Sequence, residues 1–137
     1  MQVTNAVLPT PEQAGTFFAN EDGPFVMVNL LKFKDRAEYP DGKDADLSGA
    51  EAYQRYAMAV IDELAKVGGK ALYGGPVTGL MIGEVEELWD MVALAEYPSN
   101  AAMQAMIASP SYQAIAVHRA AGLAGQLNIR TKRPARP

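Results

Sequence analysis

The sequence predicts an α+β fold: a four-stranded antiparallel sheet with two helices packed on one face. Three observations carry the prediction. Residues 25–34 read as a strand, yet they are apolar at both parities. Two segments, 48–67 and 99–122, open on capping residues and carry apolar stripes at helical spacing. The main elements then follow in the order β-α-β-β-α-β, which right-handed crossovers close into one sheet with both helices on the same side.

Thr10 caps a short first helix, with Pro11 at its opening position and Gln13 at its third. It is expected to run to about Asn20, anchored by Phe17 and Phe18, and to end at Glu21, Asp22, Gly23 and Pro24. After the first strand comes a charged loop, 35–47, too long for an idle connector and of the kind that serves as a lid or arm. Ser48 and Glu51 form a capping box. From it Tyr53, Tyr56, Ala57, Val60, Ile61, Leu64 and Val67 make one apolar stripe, with Glu51, Arg55, Asp62, Glu63 and Lys66 on the wet side. Gly68 and Gly69 supply a left-handed stop. A bulged edge strand should begin at Lys70, break at Gly74, Gly75 and Pro76, and resume over 78–82. Residues 88–97 form a third strand, again apolar at both parities. Ser99 caps the second long helix, with Ala102, Met103, Met106 and Ile107 inward. Ser109 and Pro110 restart it, Tyr112, Ile115 and Ala116 continue the stripe, and Gly122 ends it. A last strand spans 125–131. The chain thus divides into an N-terminal extension (1–24), the α+β body (25–131) and a basic tail (132–137).

At 137 residues there is room for one domain and one core. No run approaches the roughly 20 apolar residues of a membrane helix, and the N-terminus has neither a basic nor a long apolar region of the secretory kind. A cytoplasmic protein is expected. The absence of cysteine excludes disulfides, thiolate ligands and a thiol nucleophile, and the single histidine excludes a multi-histidine metal site. No metal or cofactor is expected. A net charge of −4 opposes nucleic acid, and the basic cluster Arg130, Lys132, Arg133 and Arg136 lies in the tail.

Strands apolar at both parities must leave water on both sides, and only one side has helices to cover it. The open face is therefore expected to pack against a second copy of the chain, giving a dimeric barrel with an interface of about 1,200–2,000 Å² or larger. Sheets of this topology that bind RNA carry aromatic platforms and basic residues there, whereas these strands offer Met, Leu, Val and Ala. Asn29 is read as lying in the middle of this second, covered face.

Met27 to Phe33, Ser48 to Tyr53, Gly68 with Gly69, Tyr97 to Ser99, Ser109 to Tyr112, and His118 with Arg119 resemble the domain-of-unknown-function family 1330. The resemblance spans 25–131. It implies the ferredoxin-like fold of the dimeric α+β barrel superfamily, whose members include cofactor-free monooxygenases, lactone isomerases, haem-degrading enzymes and proteins that only bind.

Asn29 and His118 are the candidate catalytic residues. Asn29 is a polar side chain in mid-strand that must find partners or a polar cavity. His118 has the side chain suited to proton transfer near neutrality, although it also fits as a cation at a helix C-terminus. Arg119 extends the helix stripe and could clamp a carboxylate or pair with an acid such as Asp90. Tyr53, Tyr56, Trp89 and Asp90 complete a candidate ligand-binding set. Trp89 and Asp90 point to opposite faces of their strand. A haem-degrading relative would use an Asn, a Trp and a His, a set offered by Asn29, Trp89 and His118, but His118 stands at the far end of its helix. Two functions follow: a cleft for a small, anionic or aromatic molecule, with or without cofactor-free catalysis of a monooxygenase or isomerase kind, and a non-catalytic binding or scaffold dimer.

Overall fold

The structure is a computed structural model describing residues 1–20 and 23–133. The sheet is built from β1 (Phe25–Phe33), β2 (Lys70–Pro76), β3 (Met91–Tyr97) and β4 (Leu123–Lys132), in the spatial order β2-β3-β1-β4. Every pairing is antiparallel. α1 (Pro11–Ala19) precedes the sheet, and α2 (Gly49–Lys66), α3 (Asn100–Ala108) and α4 (Pro110–Gly122) supply the helical layer. The predicted α+β topology is the observed one.

Local chemistry fixes the helix starts. Thr10 with Gln13 and Ser48 with Glu51 both form reciprocal capping boxes, and Ser99 and Ser109 each cap the helix that follows. Pro110 lacks the amide that would continue α3, so the predicted restart is a true break between two helices. Glu21, Asp22 and Arg136 lie outside the described residues.

Phe25, Met27 and Leu31 of β1 are buried under the helices: the first two pack with Leu64, Tyr97 and Met106, the third with Tyr53 and Leu123. Odd positions of β1 therefore face the helical layer. Asn29 shares that parity, which corrects its assignment to the open face. The even positions Val26, Val28 and Leu30, with Val92 and Leu94 opposite them on β3, line the other side of the sheet. Ile129, paired with Val28, and Tyr73, paired with Leu94, extend this apolar surface and are 46% and 60% exposed.

Some details differ from expectation. The edge strand runs unbroken through Pro76, its bulge falling between Ala71 and Tyr73, and does not resume over 78–82. β3 begins at Met91, so Trp89 and Asp90 belong to the connection before it. Ile61 sits at the edge of its stripe and is exposed.

Two glycines set the approach of α2 to α4. A Cβ on Gly122 would lie 2.2 Å from the Gly49 carbonyl oxygen, and one on Gly49 would lie 2.8 Å from that of Gly122. Lys34 clasps the pair: its N–H donates to Gly122 O (2.8 Å) and its carbonyl accepts from Gly49 N (3.0 Å). Ala37, Ala52 and Ala121 pack beside this crossing.

Candidate functional site

The glycine and alanine seam delivers the loop 35–47 onto the helices. Ala37 N donates to Leu47 O and Glu38 N to Ala121 O, both at 2.9 Å, so backbone bonds hold the loop to itself and to the end of α4. Gly42 and Asp44 take positive φ (74° and 53°), turning the chain so that Tyr39 and Asp44 face α2 and α4.

His118 then meets Tyr39, its Nδ1 2.7 Å from the phenolic oxygen and the two rings edge to face at 5.5 Å. Arg55 Nη1 donates to the same oxygen at 3.3 Å and to Asp44 Oδ2 at 2.9 Å. The guanidinium lies 5.8 Å from the Tyr39 ring centroid, a cation–π contact. These four residues, with Pro40, Asp41, Lys43 and Val117, line a cleft of about 360 Å³, which lies within the usual range for small-molecule sites.

Burial lowers the His118 pKa, the Arg55 charge lowers it further, and Asp44 acts in the opposite sense. The ring is therefore neutral at neutral pH. With Arg55 donating to the Tyr39 oxygen, a phenol hydrogen directed at Nδ1 and an imidazole N–H on Nε2 is an arrangement that satisfies both side chains. Arg55 itself is held firmly protonated by Asp44 and then by Tyr39. A neutral imidazole, a phenol and a fixed positive charge on one cleft wall can relay a proton to or from a bound molecule.

The other sequence-predicted residues lie elsewhere. Asn29 donates from Nδ2 to Ala93 O (3.2 Å), its cross-strand partner, a bond within the sheet. Tyr53 is buried against Phe33 and Tyr56, and Tyr56 shares a hydroxyl bond of 3.0 Å with Tyr112. Burial pushes the Tyr53 phenol up to about 12 and that of Tyr56 higher still, so both stay neutral at physiological pH. Trp89 Nε1 donates to Asn5 Oδ1 at 2.8 Å. Asp90 Oδ2 accepts from Phe33 N at 2.8 Å, with Lys32 Nζ 3.6 Å from its other oxygen. Arg119 donates to Val7 O at 2.6 Å and not to Asp90. The structure thus brings His118 together with Tyr39, Arg55 and Asp44, none of which was among the candidates. Tyr39, an aromatic residue set in a charged loop already too long to be a connector, was the available signal.

Among the described residues no cluster of three His, Asp or Glu side chains could hold a metal. None of their helices is long and apolar enough to cross a membrane.

No curated protein matches the chain. It is similar to two crystal structures of a protein of unknown function from Rhodopseudomonas palustris. The methylated form is 39% identical over 98% of each chain, with a TM-score of 0.85. The other is 38% identical over 98% of this chain and 100% of that one, with a TM-score of 0.84. At 13% identity, a protein of unknown function from Bacteroides fragilis, described as dimeric with a ferredoxin-like fold, shares the fold over 80% of this chain and 96% of its own (TM-score 0.53). The family described as Domain of unknown function (DUF1330) matches residues 43–130, and the chain belongs to it.

Proposed function

We propose that the protein is a homodimer that binds a small anionic or aromatic molecule in the cleft between loop 35–47 and α4, where Tyr39 and His118 act as a cofactor-free proton-transfer pair. The observation that carries this reading is the Tyr39 hydroxyl, set between His118 Nδ1 at 2.7 Å and Arg55 at 3.3 Å on the wall of the cleft. Arg55, paired with Asp44, and Lys43, 4.0 Å from Asp41, present N–H donors to an anionic group, and the aromatic rings offer faces for stacking. The transferable proton is that of an acidic C–H or O–H in the ligand, with His118 as its acceptor through Tyr39. The apolar open face, Val26, Val28, Leu30, Val92, Leu94 and Ile129, supports pairing with a second copy, and the Bacteroides fragilis protein that shares this fold is described as dimeric.

A second reading, a binding or scaffold dimer without chemistry, draws support from the backbone bonds that already dock the loop onto α4. One experiment tests whether the cleft takes a ligand. The His118 ring signals are followed by NMR while aromatic and aliphatic carboxylates are titrated in, for the parent and for Tyr39→Phe and Arg55→Met. Shifts in the parent that weaken at least about tenfold in both variants support a ligand cleft. A panel that leaves the His118 signals unmoved sinks it.

A further inference from the structure

The connection between β2 and β3, residues 77–90, carries Leu80, Met81 and Ile82 at its tip, exposed by 49%, 96% and 84%. Three consecutive bared apolar residues are unusual on a free surface and mark a contact. Behind them come Glu84, Glu86 and Glu87, which make no ion pair among the described residues. The arm leaves the sheet at the end where Pro76 pairs with Met91 and Met91 with Leu31. Among the described residues the opposite end, where Lys70 pairs with Glu96 and Glu96 with Val26, holds more basic than acidic side chains. There Arg133 neutralises Glu96, and Lys70, at the open-face parity of Glu96 and Val26, makes no ion pair among the described residues, whereas Lys132 pairs with Phe25 and belongs to the helical side.

Among the described residues the sheet thus carries unpaired glutamates at its arm end and the unpaired Lys70 at the other. From this polarity we infer that each arm reaches across the two-fold and seats its tip on the basic end of the partner's sheet, so that the paired strands run in opposite directions. The inference rests on the face-to-face dimer proposed above. A two-fold axis lying between the sheets has two simple settings. Along the strands it would bring arm to arm and set the glutamates of one copy against those of the other, a like-charge contact that disfavours docking. Across the strands it brings the arm of each copy to the basic end of its mate, and both arms are buried by the same operation. The arm is continuous with both the edge strand and β3, whose even positions belong to the apolar face, so one contact covers both surfaces.

The chain has no cysteine, which makes crosslinking direct. Chains carrying Glu86→Cys and chains carrying Lys70→Cys are mixed, allowed to exchange, and treated with a short bis-maleimide, with mass determined by light scattering beforehand. The inference expects a dimeric mass and crosslinks that join the thiol introduced by Glu86→Cys in one copy to the thiol introduced by Lys70→Cys in the other. It also expects Met81→Asp, at a fully exposed position where folding is unaffected, to raise the dimer dissociation constant about tenfold or more. Crosslinks between two copies of the Glu86→Cys chain, or a dimer of proven mass with no product joining the two kinds of chain, would overturn the arm placement while leaving the dimer standing. A monomeric mass for the parent would overturn both.

Discussion

Gly122→Ala should lower the melting temperature by roughly 8 °C, although alanine is the better helix former. The added Cβ would lie 2.2 Å from Gly49 O and 2.7 Å from Tyr53 N, against the 3.4 Å at which ordinary contact begins. Both atoms are backbone and neither can swing aside, so α2 and α4 must separate by about 1 Å. Overpacking of this kind costs about 1–3 kcal/mol. The gap also forfeits roughly a quarter to a half of the dispersion energy along the seam. Against this stands at most about 1 kcal/mol from better helix propensity and a less flexible unfolded chain. The net loss is about 2 kcal/mol, and each kcal/mol shifts the midpoint of a domain of this size by roughly 4 °C. Gly15→Ala is the control: it lies in a helix, is exposed, and meets nothing within 4 Å, so the same chemical change should raise the midpoint slightly. Calorimetry on the two variants decides the matter. A Gly122→Ala protein melting at or above the parent's midpoint would refute the claim that the crossing depends on bare backbone.

Tyr39→Phe removes one hydroxyl with two partners in a half-open cleft, so it should cost only about 1 kcal/mol in chemical denaturation while weakening ligand-induced shifts of the His118 signals. His118 has its pKa lowered in the fold, so the unfolded chain binds the extra proton. Stability is therefore full above the ordinary value of 6.5 and declines as pH falls below it, and His118→Gln should flatten that part of the curve. Ser48 hydrogen bonds hold Glu51 below its ordinary 4.5, and Ser111 and Lys66 do the same for Glu63, so a second decline should follow in acid below 4.5. Leu94→Asp on the open face should give a folded monomer by light scattering, and an unchanged dimer would show that this face is not the interface.

The fold was legible because its signals are local. Capping boxes, the proline restart at Pro110 and the glycine stop at Gly68 act within a turn of the chain, and apart from the missing strand over 78–82 the elements formed within a few residues of where the sequence set them. The facing of β1 was not legible, for a physical reason. Leu30 and Leu31 are equally apolar, so the alternation carries a period but no phase, and only packing against Tyr53 and Leu123 shows which parity meets the helices. Asn29 was misplaced by that missing phase. The cleft was hidden by distance along the chain: Tyr39 and His118 are 79 residues apart, and they meet through turns at Gly42 and Asp44 that leave little trace in hydrophobic pattern. Arg55 was correctly read as wet, since it is partly exposed, but a wet face beside a docked loop is also where ligands and loops find charge.

Fold and cleft share one determinant. Lys34 joins Gly49 to Gly122 through its own backbone, and the loop that carries Tyr39 begins at the very next residue. The closeness of α2 and α4 therefore sets both the packing of Ala37, Ala52 and Ala121 and the span across which Arg55 and His118 reach the same phenolic oxygen. Perturbations at the two levels should separate. Widening the seam at Gly122 should lower stability and lengthen the contacts to Tyr39 together, whereas removing the Tyr39 hydroxyl should leave the seam intact and alter only what the cleft holds. If ligand-induced shifts survived a widened seam, Tyr39 and His118 would not be acting as a pair.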